Sequence, residues 1–238
     1  MSDNAQPSPF TRPGFIAAAI VVLLIVVAGG IAVIVGLTSQ GDPDPTPTGT
    51  TGPGPSAEDE SVCGLEDFET ESSLTEAPDN EWELVGTVAA PTDPEVGPGV
   101  VDDDGFRTCF AHTAEGALYA AANYVALSSD PRLQPRIWML LEEGPVRDQA
   151  EADSASNPSE PSSSRLQVAG FRVLEYSAST AIIDVAWQVT SPTPGLISMP
   201  IEFTWQEGDW RLATTDTGLP YSPSQLQSLG GYIPWSGA

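Results

Sequence analysis

Two carboxylates framed by two tryptophans mark the stretch FTWQEGDWRL, residues Phe203–Leu212. Glu207 and Asp209 lie between Trp205 and Trp210, a composition that suits a sugar-binding cleft with an acid pair. The spacing argues otherwise. Trp205 alternates in phase with Ile201 and Phe203, and Trp210 with Leu212, so both indoles read as core residues of two strands. Glu207-Gly208-Asp209 is then a hairpin connection, and its acids are expected to face water. A retaining glycosidase instead holds its carboxylates about 5 Å apart across a cleft.

Other reactive residue types fail similar tests. His112 is the only histidine, too few for a Ser/His/Asp system without further signals, and it adjoins a helix start, where a capping or satisfied surface role is expected. Neither G-x-S-x-G nor a Gly-rich phosphate loop is present. VDDDG, Val101–Gly105, lacks the D-x-D-x-D-G spacing of a calcium loop and reads as a solvated turn. Cys63, Cys109 and His112 cannot complete a metal site. The two cysteines are expected to form a disulfide, stabilising by about 4 kcal/mol in the chain-entropy model. No catalytic residue, metal or cofactor is expected.

Charge narrows the partners. The 238 residues carry 33 acids and 8 basic residues, every one of them Arg, for a net charge of −25. That balance opposes direct nucleic-acid binding, which needs clustered cations to displace counterions from phosphate. It equally opposes docking on anionic headgroups.

The elements that must position any site follow a segmented plan. Residues 1–14 form a short tail ahead of FIAAAIVVLLIVVAGGIAVIVGL, Phe15–Leu37, an uncharged run long enough to span the hydrocarbon core as a helix. It exceeds the apolar core of a signal peptide, so an uncleaved anchor is expected. Arg12 is the one cation flanking it, which places the N-terminus in the cytoplasm and the rest outside the cell membrane. Ala28, Ala32 and Gly36 share a helix face, a pattern that permits self-association, although small residues are common in such helices. Residues 38–61, rich in Pro, Thr and Gly, read as a disordered acidic stalk reaching about 70 Å. An extracytoplasmic domain is expected over 62–238, with a polar loop at 147–164.

Within that domain, HTAEGALYAAANYVAL supplies a helix with Thr113 as N-cap and a stripe through Ala114, Ala117, Leu118, Ala121, Ala122 and Val125. A second helix is expected over Pro131–Glu142. The period then changes to two. Phe171 and Val173, then Ile183, Val185, Trp187 and Val189, then Ile197 to Trp205 at alternate positions, and finally Trp210 and Leu212 mark an antiparallel meander. The fold class read from this order is α+β, helices packed on a curved antiparallel sheet.

CFAHTAEGALYAAANYVAL, VAGFRVLEYSASTAIIDVAW, EFTWQEGDWRL and SLGGYIPWSGA together resemble an uncharacterised actinobacterial single-pass membrane protein family, over about residues 60–238. The hairpin following a helix also resembles the NTF2-like or cystatin-like fold of bitopic assembly subunits in type IV secretion and conjugation systems. The resemblance implies a non-enzymatic, membrane-anchored extracytoplasmic scaffold in a conjugative DNA-transfer envelope complex, with protein subunits as partners. It brings no catalytic residues. The alternatives are a ligand-binding or enzymatic NTF2-like cone, which should point polar groups inward, and an accessory protein of a lipid-import system. Tyr232, Ile233 and Trp235 near the C-terminus either bind a partner subunit or cap the domain's own core. A chain starting near Ser61 is expected to fold without anchor or stalk under oxidising conditions, as a cooperative thermal transition would register.

Overall fold

The computed structural model describes residues 59–154, 165–191, 194–216, 218–220 and 222–236. They fall within the compact unit Pro55–Ala238. The expected membrane helix with Ala28, Ala32 and Gly36, and the stalk to residue 58, lie outside the described residues. Among the described residues no helix is long and apolar enough to cross a membrane.

The segment between the cysteines is built from strands. β1 (Glu81–Val85) pairs antiparallel with β2 (Val88–Thr92), and β3 (Val100–Val101) pairs with β4 (Arg107–Thr108). Helix α1 (Ala114–Ser129) follows, with the Thr113 Oγ1 accepting the Gly116 N–H at 2.9 Å as the sequence predicts. Almost every residue from Ala114 to Leu127 is buried, which a single apolar stripe does not foresee. The reason is that strands cover the helix on opposite sides: β2 packs against it as well as the main sheet. Asn123 is buried on that second side, where its amide donates to the carbonyls of Pro91 and Tyr119, each at 3.0 Å.

The main sheet is the expected meander with additions. β5 (Arg165–Tyr176), β6 (Thr180–Ser191), β7 (Gly195–Gln206) and β8 (Asp209–Leu212) pair in sequence, all antiparallel. β9 (Ser224–Leu226) pairs with the start of β7, and β10 (Ile233–Pro234) pairs with β5. Ile183, Val185, Trp187, Ile201 and Phe203 are buried together in the core cluster that includes α1, so the inward face is filled by apolar side chains. Register shifts in β5 at Val168/Gly170 and Val173/Glu175 break its alternation, leaving Leu174 exposed.

Three sequence expectations are corrected. The α+β plan of helices on a curved NTF2-like or cystatin-like sheet gives way to a mostly strand structure, 40% strand against 20% helix. The short hairpins ahead of α1 and the late strands β9 and β10 account for the difference. Pro131–Glu142 is not an α-helix: residues Gln134–Leu140 form a 3-10 helix, with Pro135 near its start. The polar loop at 147–164 begins inside helix α2 (Pro145–Ser154), and residues 155–164 lie outside the described ones.

The tail takes the intramolecular of its two destinations. Tyr232 and Trp235 are buried, and Ile233 is half-buried where it pairs with Phe171. Gly170 makes room for that strand, because a Cβ there would stand 2.8 Å from the Ile233 carbonyl. Trp235 packs against Trp82 of β1, Tyr119 of α1 and Phe171 of β5, and its indole N–H donates to Asn80 Oδ1 at 2.9 Å. One side chain thus joins the first hairpin, the helix and the sheet. Trp235→Ala is expected to cost about 3–5 kcal/mol, read as a lowered Tm of the oxidised protein.

Candidate functional site

The β7–β8 turn is made by Glu207 (φ 56°) and Gly208 (φ 73°), two successive left-handed residues. That is the backbone of a two-residue hairpin whose twist matches its strands. A side chain at Gly208 would stand 2.6 Å from the Val62 nitrogen, which donates to the Gly208 carbonyl at 2.9 Å. Asp209 is therefore the first residue of β8, not part of the tip.

The expectation that both acids face water holds for Glu207 and fails for Asp209. Asp209 is 1% exposed. Its Oδ2 accepts the Cys109 N–H at 2.9 Å, and its Oδ1 accepts the Phe110 N–H at 3.0 Å and its own neighbour Trp210 N–H at 2.9 Å. Arg211 Nη1 lies 3.8 Å away. Burial pushes the Asp209 carboxyl up, opposed by Arg211 and these backbone donors. The carboxylate fixes a loop.

That loop carries the disulfide. Cys63 and Cys109 are bonded, as the sequence predicts, across a separation of 46 residues. Cys109 sits in the left-handed region (φ 66°), unusual for a residue with a side chain. The crosslink on one side and Asp209 on the other hold it there.

His112 is not a surface residue, contrary to the expected role, but 1% exposed. Its ring stacks on Trp205 with centroids 3.7 Å apart and meets the edges of Phe68 and Trp210. Nδ1 faces the Asp59 carbonyl at 2.9 Å, and Nε2 faces the Ala178 carbonyl. Both ring nitrogens serve the backbone, and neither is presented to an open cleft. Trp205 and Trp210 belong to this cluster, so their packing role stands.

VDDDG is a turn, as expected, closed by a protein cation. Asp102 Oδ1 accepts the N–H groups of Asp104 and Phe106, and Arg136 Nη2 lies 2.6 Å from Asp102 Oδ2 while the guanidinium covers the Phe106 ring. Hydrogen bonding from Arg136 holds the Asp102 carboxyl below its ordinary 3.8. Among the described residues no group of three or more His, Cys, Asp or Glu could hold a metal ion.

Two polar features escaped the sequence. Asp184, fully buried on the sheet face away from α1, accepts from Ser198 Oγ at 2.7 Å, Arg172 Nε at 2.9 Å and Tyr232 Oη at 2.6 Å. The Arg172 guanidinium lies over the Tyr232 ring, 4.5 Å from its centroid. Polar residues at outward strand positions normally mark solvent, so only the aromatic tail hinted at a cover. The second feature is an open trough of about 700 Å³ between α2 and residues 214–218, reaching Glu142, Glu143, Val146, Asp153 and Asp216. A further hollow of about 390 Å³ shares Val146, Ala150 and Asp153 with it and adds Trp138 and Leu219. The lining comes from two separated stretches, within 134–154 and 214–219, which no local pattern connects.

The fold and these sites define a disulfide-stapled, mostly β domain in which buried Asp209 and His112 face backbone groups and buried Asp184 gathers side chains, with an open concavity beside a surface helix. The chain belongs to the family described as "Domain of unknown function (DUF8175)", whose profile matches residues 42–234. No curated protein matches the chain, and no solved structure matches it.

Asp209→Ala leaves two buried N–H groups of the disulfide loop without an acceptor, and a loss of about 3 kcal/mol is expected in denaturant titration. Asp102→Asn should show a pH signature. Because the folded carboxyl titrates below its unfolded value, its contribution is present above 3.8 and is lost as pH falls through the folded value. The Tm gap between wild type and Asp102→Asn should therefore be widest at neutral pH and close in strong acid.

Proposed function

We propose that the chain is a non-enzymatic interaction domain tethered to the cell membrane, with its folded part on the extracytoplasmic side, acting as a scaffold in an envelope complex. The observation that carries this reading is the employment of Asp209, His112 and Asp184. Each of these three groups is buried and bonded within the domain, whereas an open trough of about 700 Å³ beside α2 is suited to another chain. The disulfide supports an oxidising compartment, and the apolar run Phe15–Leu37 with Arg12 ahead of it supports the tether and its orientation.

The test has two parts. Alkaline phosphatase, active only after export, should be active when fused after Ala238 and inactive when fused after Gly14. Native electrophoresis of solubilised membranes should find the full chain in a particle larger than itself, and deletion of residues 59–238 should remove it from that particle. An inactive C-terminal fusion overturns the topology. A chain migrating at its own mass overturns the scaffold role.

A further inference from the structure

We propose that the trough beside α2 binds a cationic, amphipathic segment of a partner protein, an inference that rests on the interaction reading and names the chemistry of its occupant. The half-buried apolar residues Val146 and Ala150 line the trough and continue into the adjoining hollow, where Trp138 and Leu219 extend the apolar surface. The rim is acidic, with Glu143, Asp153 and Asp216 all exposed. No Arg lines either hollow. Asp153 Oδ1 accepts from Gln149 Nε2 at 2.9 Å, and Glu142, the fourth acid, has its Oε1 accepting from the Thr214 N–H at 2.6 Å and Oγ1 at 2.9 Å. That pairing fixes one wall of the trough to the other.

Trp138, in the adjoining hollow, already has one cation near its ring. Arg147, which lines neither hollow, holds its guanidinium 6.0 Å from the Trp138 ring centroid while pairing with Glu207 at 3.6 Å. An aromatic floor under carboxylates attracts a side chain that is apolar along its stem and positive at its end.

Charge selects the occupant among the alternatives. The chain's own segments outside the described residues cannot complement the rim: residues 1–58 hold Arg12 against Asp3, Asp42, Asp44 and Glu58, and residues 155–164 hold Glu160 and no cation. A second copy brings the same net charge of −25 to a surface that is already negative. A foreign segment bearing Lys or Arg on one face and apolar residues on the other satisfies both floor and rim. The open shape and the continuity of the two hollows fit an extended segment better than a small enclosed ligand.

The experiment uses the oxidised full chain in zwitterionic nanodiscs, with empty discs as background. The probe is a fluorescein-labelled peptide of about 14 residues with Leu at helical i, i+3 and i+4 positions and Lys elsewhere, carrying one photoactivatable Leu. Saturable binding is expected, with crosslinks on residues 138–153 or 214–219. The triple variant Glu143→Gln, Asp153→Asn, Asp216→Asn should weaken binding about tenfold or more, while Glu81→Gln, Glu95→Gln, Glu175→Gln, an equal charge change elsewhere on the surface, should alter it less than about twofold. A Lys/Ser peptide of equal charge should bind at least about tenfold more weakly, because the floor then has nothing to cover. Equal losses in the two triple variants, equal binding of the Lys/Ser peptide, crosslinks elsewhere, full competition by equimolar spermine, or no binding would each overturn the proposal. Topology and native particle size do not depend on these outcomes, so this inference can fail while the scaffold reading stands.

Discussion

The domain depends on one carboxylate reaching back about a hundred residues. Asp209 opens β8, yet its two oxygens receive the N–H groups of Cys109 and Phe110, which lie just ahead of α1. A hydrogen bond to a charged acceptor contributes more than a neutral one, and an orphaned N–H at a buried site costs its full desolvation. These bonds therefore set where the disulfide loop stands against the last long hairpin. The disulfide restricts the unfolded chain, and Asp209 determines the conformation in which the restricted loop settles. From there, Trp210 Nε1 donates to the Ala111 carbonyl at 2.9 Å, and His112 seats its ring on Trp205. The start of α1 is held against the sheet before any of its apolar side chains are counted.

A second buried acid organises the opposite face. Asp184 would be an uncompensated charge in the middle of a sheet if Arg172, Ser198 and Tyr232 did not meet it. Removing one partner of such a cluster typically costs about 3–5 kcal/mol, so the arrangement specifies the path of the C-terminal segment more than it adds net stability. Arg172 is held more firmly protonated by its hydrogen bond to Asp184, and burial together with Asp184 pushes the Tyr232 hydroxyl up. In a chain with so few cations, spending an Arg on the back of the sheet is informative. It converts what looks like a solvent-facing strand position into an anchor for a tail.

The long strands were legible because alternation continues over enough residues to be unambiguous, as from Ile183 to Val189 and from Ile197 to Trp205. The cysteine pairing was legible because two cysteines and one histidine cannot complete a metal site, which leaves a crosslink as their main use. The early hairpins were not. EWELVGTVAAPT carries a Pro in its second strand and turns at Gly86-Thr87, without the Asn-Gly signature, so composition alone reads it as a loop. Asp209 and His112 were misplaced for a different reason. Beyond Trp210 and Arg211 beside Asp209, the atoms that make their burial tolerable belong to Cys109, Phe110, Asp59 and Ala178, far away in sequence. The trough was illegible on the same ground: Trp138 and Val146 look like ordinary apolar residues until residues 214–219 close the other side.

The attachment of Val62 to the β7–β8 turn has a mechanical meaning. Tension arriving from the N-terminal side meets the Asp59 contact with His112, then the Val62–Gly208 hydrogen bond and, one residue later, the covalent bond from Cys63 to Cys109. Unzipping cannot run on through the first hairpin, because load passes directly across the crosslink to the strand end that Asp209 grips. The slack in the loop between the cysteines is bypassed, and β1 to β4 are shielded from the pull. Under such a pull the first hairpins, helix and trough would stay in register while the strain is borne at a single corner.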